Sequence, residues 1–340
     1  MSKNGWIPLN ARVIASASVV GNRERHGPIG ECFDMSDPTD KFGQKTWEMA
    51  ESEMQRRALN LAIKKGEVKE SDLGAIFAGD LLNQCVGAAY GLMDFPSAYF
   101  GLYGACSTAA EGLILAGICT TYRVFDMCAA VASSHYCTAE RQYRTPIEYG
   151  GQRAPVAQWT VTGAGAYLVG HGPGEVEIAS AMPGIVVEKG ITDTSNMGAA
   201  MAPAALDTLV RFFQATGRDP HSFDLIVTGD LGYEGVSILG DLLYAEGYDV
   251  GHRLNDCGMM IYQRQTQDTH AGGSGCGCSA SVLSGYLLPK IRSGELREVL
   301  FLGTGAMMSP DSIKQGRAIP AVAHLVHLRA GEQSRKEMDL

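Results

Sequence analysis

The chain has 340 residues, 45% hydrophobic and only 19% charged, the profile of a globular protein with a large core. At roughly 150 residues per domain, that length fits two domains or one duplicated unit. Thirty-seven acidic residues against 28 basic ones give a net charge of −9, which excludes the basic footprint of a nucleic-acid binder.

Met1–Asn10 lacks the apolar run of a signal peptide. The most apolar stretch, Leu113–Ser133, is broken by Arg123 and Asp126, so no membrane span is expected. Nine cysteines in a long chain without a secretion signal read as reduced thiols. Cys276-Gly277-Cys278 is a single C-x-C where structural zinc wants two such pairs, so no metal site is expected.

Helical spacing begins at Trp47–Lys65, where Met49, Met54, Ala58, Leu61 and Ala62 share a face and Gly66 ends the run. Leu73–Ala78 predicts a buried strand that runs into Gly79-Asp80-Leu81. Gly104-Ala105-Cys106-Ser107-Thr108 then opens an apolar helix over Ala109–Cys119, followed by a strand over Val124–Ser133. Farther on, Ala205–Ala215 predicts a helix stopped by Gly217, and Asp224–Thr228 a strand into Gly229-Asp230-Leu231. Asn255 and Asp256 read as turn formers ahead of a Met259–Tyr262 strand. A second Gly-rich turn, Gly272–Ser279, opens an apolar helix over Ala280–Ile291, and a strand over Glu298–Met307 follows.

This order is a repeat. The two Gly-Asp-Leu triplets lie 150 residues apart, and Ile76 and Ile226 match at the same offset. Two similar halves, 1–172 and 173–340, with alternating strands and helices predict a layered α/β fold with pseudo-twofold symmetry. Helices as apolar as the two opened by glycine turns must be buried on most sides, hence in the middle.

Cys106 is the sharpest chemical candidate. At the first turn of a buried helix, unsatisfied N–H groups favour a thiolate, although cysteine is also a common core filler. Gly-Ala-Cys-Ser-Thr within a duplicated α/β chain resembles the thiolase superfamily, including the ketoacyl-acyl-carrier-protein synthases. The Thr162–Ala166 strand and the Gly273–Ser279 turn resemble that superfamily's glycine motifs. The resemblance implies a five-layered αβαβα fold with Cys106 at the nucleophile position. Asp230 stands where the superfamily has its catalytic His, and Ser274 where it has a second His or Asn. A carboxylate repels a developing oxyanion, and a serine hydroxyl supplies a single donor. A pocket without catalysis is therefore expected.

A closer resemblance runs through Ala78–Gln84, Ser133-Ser134-His135, Thr138–Gln142, Glu148–Gln152, Met201–Ala205, Asn255–Gly258 and Gly272–Ser279. These stretches are similar to the stage V sporulation protein AD family, over nearly the whole chain. That resemblance implies binding of dipicolinic acid (pyridine-2,6-dicarboxylate), alone or as its calcium chelate, with no other cofactor. It further implies a place beside the other stage V sporulation A-group membrane proteins, in the cytoplasm or forespore and peripheral to the spore inner membrane. By analogy to the superfamily, a homodimer is expected. Two other readings remain: an active acyltransferase using Cys106, and a structural subunit with a vestigial pocket.

A planar dianion wants donors, flat walls and positive charge. Ser133, Ser134 and His135 offer donors where the superfamily opens its pocket. Arg141 and Arg144 lie just downstream, with Tyr143 and Tyr149 as stacking surfaces. Each has a plainer reading: a satisfied core histidine for His135, solvent-facing ion pairs for the arginines. The expected ligand-binding set is Cys106, Ser134, His135, Arg141, Asp230 and Ser274. Asp80 and Asp230 either cap the helices that follow or hold calcium brought by the ligand.

Overall fold

The computed structural model describes residues 5–143, 152–172, 174 and 176–331. The first half runs β1 (Ile7–Val20), α1 (Asn22–Arg25), β2 (Met35–Ser36), α2 (Trp47–Gly66), β3 (Ala75–Gly79), α3 (Val86–Leu92) and β4 (Ala98–Gly101). It continues through α4 (Thr108–Thr121), β5 (Met127–Ser134), α5 (Tyr136–Tyr143), β6 (Trp159–Thr160) and β7 (Gly163–Gly170). The second half opens with β8 (Val176–Met182), α6 (Met197–Thr216), β9 (Leu225–Thr228), α7 (Gly232–Ala245), β10 (Leu254–Asp256) and α8 (Cys257–Ile261). It closes with β11 (Gly273–Ser274), α9 (Cys276–Val282), α10 (Leu288–Arg292), β12 (Glu298–Ala306), α11 (Pro310–Lys314) and β13 (Ala321–Ala330).

Ten strands lie side by side in the order β10-β9-β12-β13-β8-β1-β7-β5-β3-β4, with β2 added against β1. Read outward from the centre, the two sets of five mirror each other, and β1 joins β8 antiparallel at the seam. Apolar clusters fill three spaces: α2 and α3 against the first five strands, α6 and α7 against the second five, and a middle layer between. α4 packs on strands of both halves, and every residue of α9 is buried. The layers follow the expected αβαβα order.

Glycine lets the layers touch backbone to backbone. A Cβ on Gly165 of β7 would sit 2.3 Å from the Ala280 carbonyl of α9. One on Gly305 of β12 would lie 2.6 Å from the Gly104 carbonyl. Each half's Gly-rich turn thus seats on the other half's strands, which brings Cys106 and Ser274 to one place.

Several local expectations shift. α2 buries Ala50, Met54, Ala58, Leu59, Ala62 and Ile63, and Met49 points outward. Its left-handed end falls on Glu67 (φ 53°), while a Cβ on Gly66 would press to 3.0 Å from Leu168. Gly66 is there for close packing. α6 begins at Met197, eight residues ahead of the sequence boundary at Ala205, because Asn196 accepts the Ala199 N–H as its cap. Gly217 does end it, at φ 67°.

The predicted Met259–Tyr262 strand is instead α8, and Leu254–Asp256 is the strand. Asp256 explains the exchange. Its carboxylate caps α8 through Met259 N–H and also takes the Thr228 hydroxyl and the Leu231 and Gly232 N–H groups. Past α9 the helix widens into one π turn over Leu283–Leu287, ahead of Pro289, which has no N–H to give.

Candidate functional site

Cys106 lies in a single tight turn, Ala105–Ser107, that leads directly into α4. Ala105 holds φ 51°, a left-handed conformation unusual for a residue with a side chain, and this turns Cys106 toward a cavity of about 1240 Å³. Ser274 and Gln158 share the wall, and four methionines (197, 201, 307 and 308) form an apolar side. Lys314 and Arg317 stand exposed at its edge.

Asp230 sits behind Cys106, fully buried in the turn after β9. Its carboxylate accepts the Thr304 hydroxyl at 2.8 Å, the Gly275 N–H at 2.9 Å and the Ser274 hydroxyl at 3.1 Å. The Cys106 thiol lies close enough to this carboxylate for the two to influence each other. Gly275 can hold this turn because its φ is 100° and a Cβ there would strike Ser134 Oγ at 2.5 Å. Burial raises the Asp230 pKa, against the pull of its donors.

The thiolate that the helix terminus would favour is opposed in the fold. Burial, and next the Asp230 carboxylate, push the Cys106 thiol well above its ordinary value. A nearby negative charge works against the roughly half a unit of positive dipole charge at the helix start, so the neutral thiol is favoured.

Three of the six expected residues, Cys106, Asp230 and Ser274, therefore converge. The other three are placed elsewhere. Ser134 is buried, its hydroxyl donating to the Val161 carbonyl at 2.7 Å and accepting the Gly277 N–H at 3.1 Å. It ties β5 to α9. His135 faces a second cavity of about 640 Å³. Its Nδ1 accepts the Cys137 N–H, so Nε2 carries the proton and donates to the Asp40 carbonyl at 2.8 Å. Burial lowers its pKa, keeping it neutral. Arg141 is half exposed and pairs with Glu48 at 3.0 Å. The sequence neighbours diverge because side chains at a strand end leave on opposite faces. Ser133, for its part, binds Glu51 and Gln55 of α2.

Tyr143 lines the Cys106 cavity and donates to the Leu81 carbonyl at 2.7 Å. Arg144 and Tyr149 lie outside the described residues, as does most of the Glu148–Gln152 stretch. Asp80, the repeat mate of Asp230, accepts the Leu82 and Ala88 N–H groups at 2.8 and 2.6 Å. It caps α3, whereas the first N–H groups of α7 go to Asp256 rather than Asp230. Among the described residues, no three His, Cys, Asp or Glu side chains are arranged to hold a metal ion. Sequence reasoning passed over Arg153, Gln158 and Thr304, which carry no motif. The Gly-x-Gly flanks of Thr304 on β12 were the one available signal.

Residues 3–329 match the family model described as stage V sporulation protein AD. The chain belongs to the stage V sporulation protein AD family. The Bacillus subtilis (strain 168) protein of that name is 41% identical over 334 residues, covering 98% of each chain. Among solved structures, a Xanthomonas campestris OleA variant with bound lauric acid and lauroyl-CoA aligns with a TM-score of 0.60. That likeness has 13% identity, over 94% of this chain and 99% of the other. The 3-oxoacyl-[acyl-carrier-protein] synthase III of Aquifex aeolicus aligns at 0.56, with 11% identity over 94% and 99%. At such identities the likeness shows the fold: this family member is thiolase-like.

Proposed function

We propose that this family member binds dipicolinic acid, alone or as its calcium chelate, without catalysis. In this reading it serves the assembly that takes the acid up into the developing spore, together with the stage V sporulation A-group membrane proteins. The observation that carries the reading is the Cys106–Asp230–Ser274 cluster. A thiol beside a buried carboxylate that opposes its ionisation is a wall of a pocket rather than a nucleophile with its base. The cavity beside it has room for a planar ligand, an apolar methionine side for its ring, and both signs of charge in its lining. Arg153, Lys314 and Arg317 suit the free dianion, and Glu188 and Asp311 suit a bound calcium. Asp230 keeps a carboxylate away from Cys106, so the anionic groups turn toward the basic side.

Among the described residues no helix is long and apolar enough to cross a membrane, so attachment to the spore inner membrane would run through partners. Calorimetric titration with dipicolinate, with and without calcium, tests the reading. Saturable one-to-one heat is expected, lost in Cys106→Trp, whose indole occupies the space beside Asp230 and Ser274. Absence of heat from the wild-type protein under both conditions would overturn it.

For the homodimer, the support is β4, the last strand of the sheet, whose four residues are all exposed. The Ala98 and Leu102 N–H groups bond inward to Gly74 and Ala78, so strand alternation points the Tyr99 N–H outward. A second copy pairing along this edge would use it. Tyr99→Pro removes that one donor, and sedimentation should then show a folded monomer in place of a dimer. A monomeric wild-type protein would rule the pairing out.

A further inference from the structure

Arg153 lines the Cys106 cavity, yet its side chain is only 6% exposed. A guanidinium so buried needs fixed partners. Nη2 donates to the Asp268 carbonyl at 2.7 Å and to the Asp268 carboxylate at 2.8 Å. The Arg153 Cζ lies 4.8 Å from the centre of the Trp159 ring, a cation–π contact. These supports are themselves braced. Asp268 meets His270 Nε2 at 3.0 Å, and His270 Nδ1 meets the carbonyl of Ala154, the residue after Arg153, at 2.8 Å. Trp159 stacks on Tyr136 at 4.0 Å and carries the Arg23 guanidinium at 3.9 Å.

Among the described residues, one end of the Arg153 group has no such partner: its Nη1 is buried and makes no hydrogen bond. A guanidinium held on one edge and unsatisfied on the other is preorganised for a further acceptor. The rest of the cavity narrows the choice of acceptor. At the Cys106 end, Asp230 already presents a carboxylate, and the buried Gln158 Oε1 is an acceptor lacking a donor. An anion is unwelcome there. Lys314 and Arg317 are exposed at the edge, where water and salt screen them.

We infer that Nη1 of Arg153 receives a carboxylate of the aromatic acid bound in this cavity and thereby sets its orientation. The inference rests on the binding reading above, and it names the residue that gives the site its preference for an acid. Arg153 supplies the short-range, salt-insensitive contact. Lys314 and Arg317 supply attraction that fades with ionic strength.

The test is a calorimetric titration at low and high salt, using dipicolinate, benzoate and the uncharged pyridine-2,6-dicarboxamide. Wild type is compared with Arg153→Gln, Arg153→Lys and Lys314→Gln, with Trp159 emission and the thermal midpoint as checks on folding. Arg153→Gln should weaken dipicolinate roughly ten- to a hundredfold at both salt concentrations and the diamide, whose carbonyls accept only a neutral-acceptor bond, by about a few-fold at most. Arg153→Lys should fall between, since an ammonium keeps the charge and loses the fork. Lys314→Gln should cost a few-fold at low salt only.

A folded Arg153→Gln protein that binds dipicolinate like wild type overturns the inference and leaves the binding reading intact. Failure of dipicolinate with wild type, alongside benzoate binding that Arg153→Gln loses, overturns the reading and keeps the inference. If wild type binds neither acid, both fall. Should Arg153→Gln not fold, undiminished dipicolinate affinity in Arg153→Lys overturns the inference.

Discussion

Offered an acyl thioester, the purified protein is expected to leave Cys106 unacylated and to release no condensation product. Two independent effects add. The thiol is held neutral by burial and by the Asp230 carboxylate, so little nucleophile exists at neutral pH. The groups facing it are also wrong for a tetrahedral oxyanion. Asp230 brings negative charge, and the Ser274 hydroxyl is already given to Asp230 at 3.1 Å. Removing one oxyanion donor costs about 100- to 1,000-fold in rate, so loss of both, with a protonated thiol, puts turnover below detection. Labelling by iodoacetamide, read on the Cys106 peptide by mass spectrometry, isolates the first effect. Asp230→Asn can accept the Gly275 N–H with its Oδ1 and donate its Nδ2 to the Thr304 hydroxyl oxygen, and it removes the charge, so labelling should quicken by about tenfold or more. A burst of acyl-enzyme on wild-type Cys106, or labelling as fast as at the exposed Cys32, would show that the thiolate forms after all.

How much of this was legible in the sequence differs between fold and site. The αβαβα order was legible because its cause is repeated and local. Gly79-Asp80-Leu81 and Gly229-Asp230-Leu231 end equivalent strands, and apolar helices opened by small residues can lie only between two sheets. The convergence of Cys106 with Asp230 and Ser274 was legible through the resemblance to the thiolase superfamily, at whose nucleophile and partner positions the three residues stand. Where the sequence misled, the cause was contact across the chain. Ser134 and His135 follow Ser133 on one strand end, yet their hydroxyl and ring are claimed by Val161 and Asp40. No local pattern records such partners.

What opposes a Cys106 thiolate was hidden from the sequence for a related reason. A helix terminus is visible in sequence, but the carboxylate beside it comes from 124 residues away (Cys106 against Asp230). Asp256 shows the same limit. Read alone, Asn255-Asp256 is turn chemistry; in the fold, its carboxylate gathers four donors from β9, α7 and α8. Arg153 had no sequence signal at all, because its value lies in what Asp268, His270 and Trp159 do around it.

Stability should fall as the pH rises from about 6.5 to 8.5, because burial gives several carboxyl groups of the folded chain a higher proton affinity than they have unfolded. Burial raises Glu24 and Asp256 to about 7, and it raises Glu51 and Asp80, which lie near one another, as well. In the unfolded chain these groups titrate near the ordinary 3.8 to 4.5. Between the two sets of values the folded state binds more protons, so each group's contribution is full below about pH 4 and is lost as the pH climbs through its folded value. His324 works in the opposite sense. Burial lowers it to about 4, so its contribution is complete above 6.5 and is lost on acidification. Above pH 6.5 the carboxyls act nearly alone. A tenfold difference in proton affinity between the folded and unfolded chain is worth about 1.4 kcal/mol, so the summed loss to pH 8.5 is on the order of 2–4 kcal/mol, several degrees in thermal midpoint. Glu24→Gln identifies one contributor. The Glu24 Oε1 accepts the Thr162 N–H and the Tyr262 hydroxyl, and Oε2 has no donor. A Cβ on Gly21 would lie 2.7 Å from that Oε2 and 2.5 Å from Asp40 Oδ1, so the two carboxyl groups face the same spot, and an uncharged amide in place of Glu24 removes their repulsion. Glu24→Gln should therefore flatten the slope and match or exceed wild type at pH 8. A wild-type midpoint that is level or rising across this window would mean that these carboxyls are ionised in the folded protein, and that the Asp230 site beside Asp256 carries more negative charge than its burial allows.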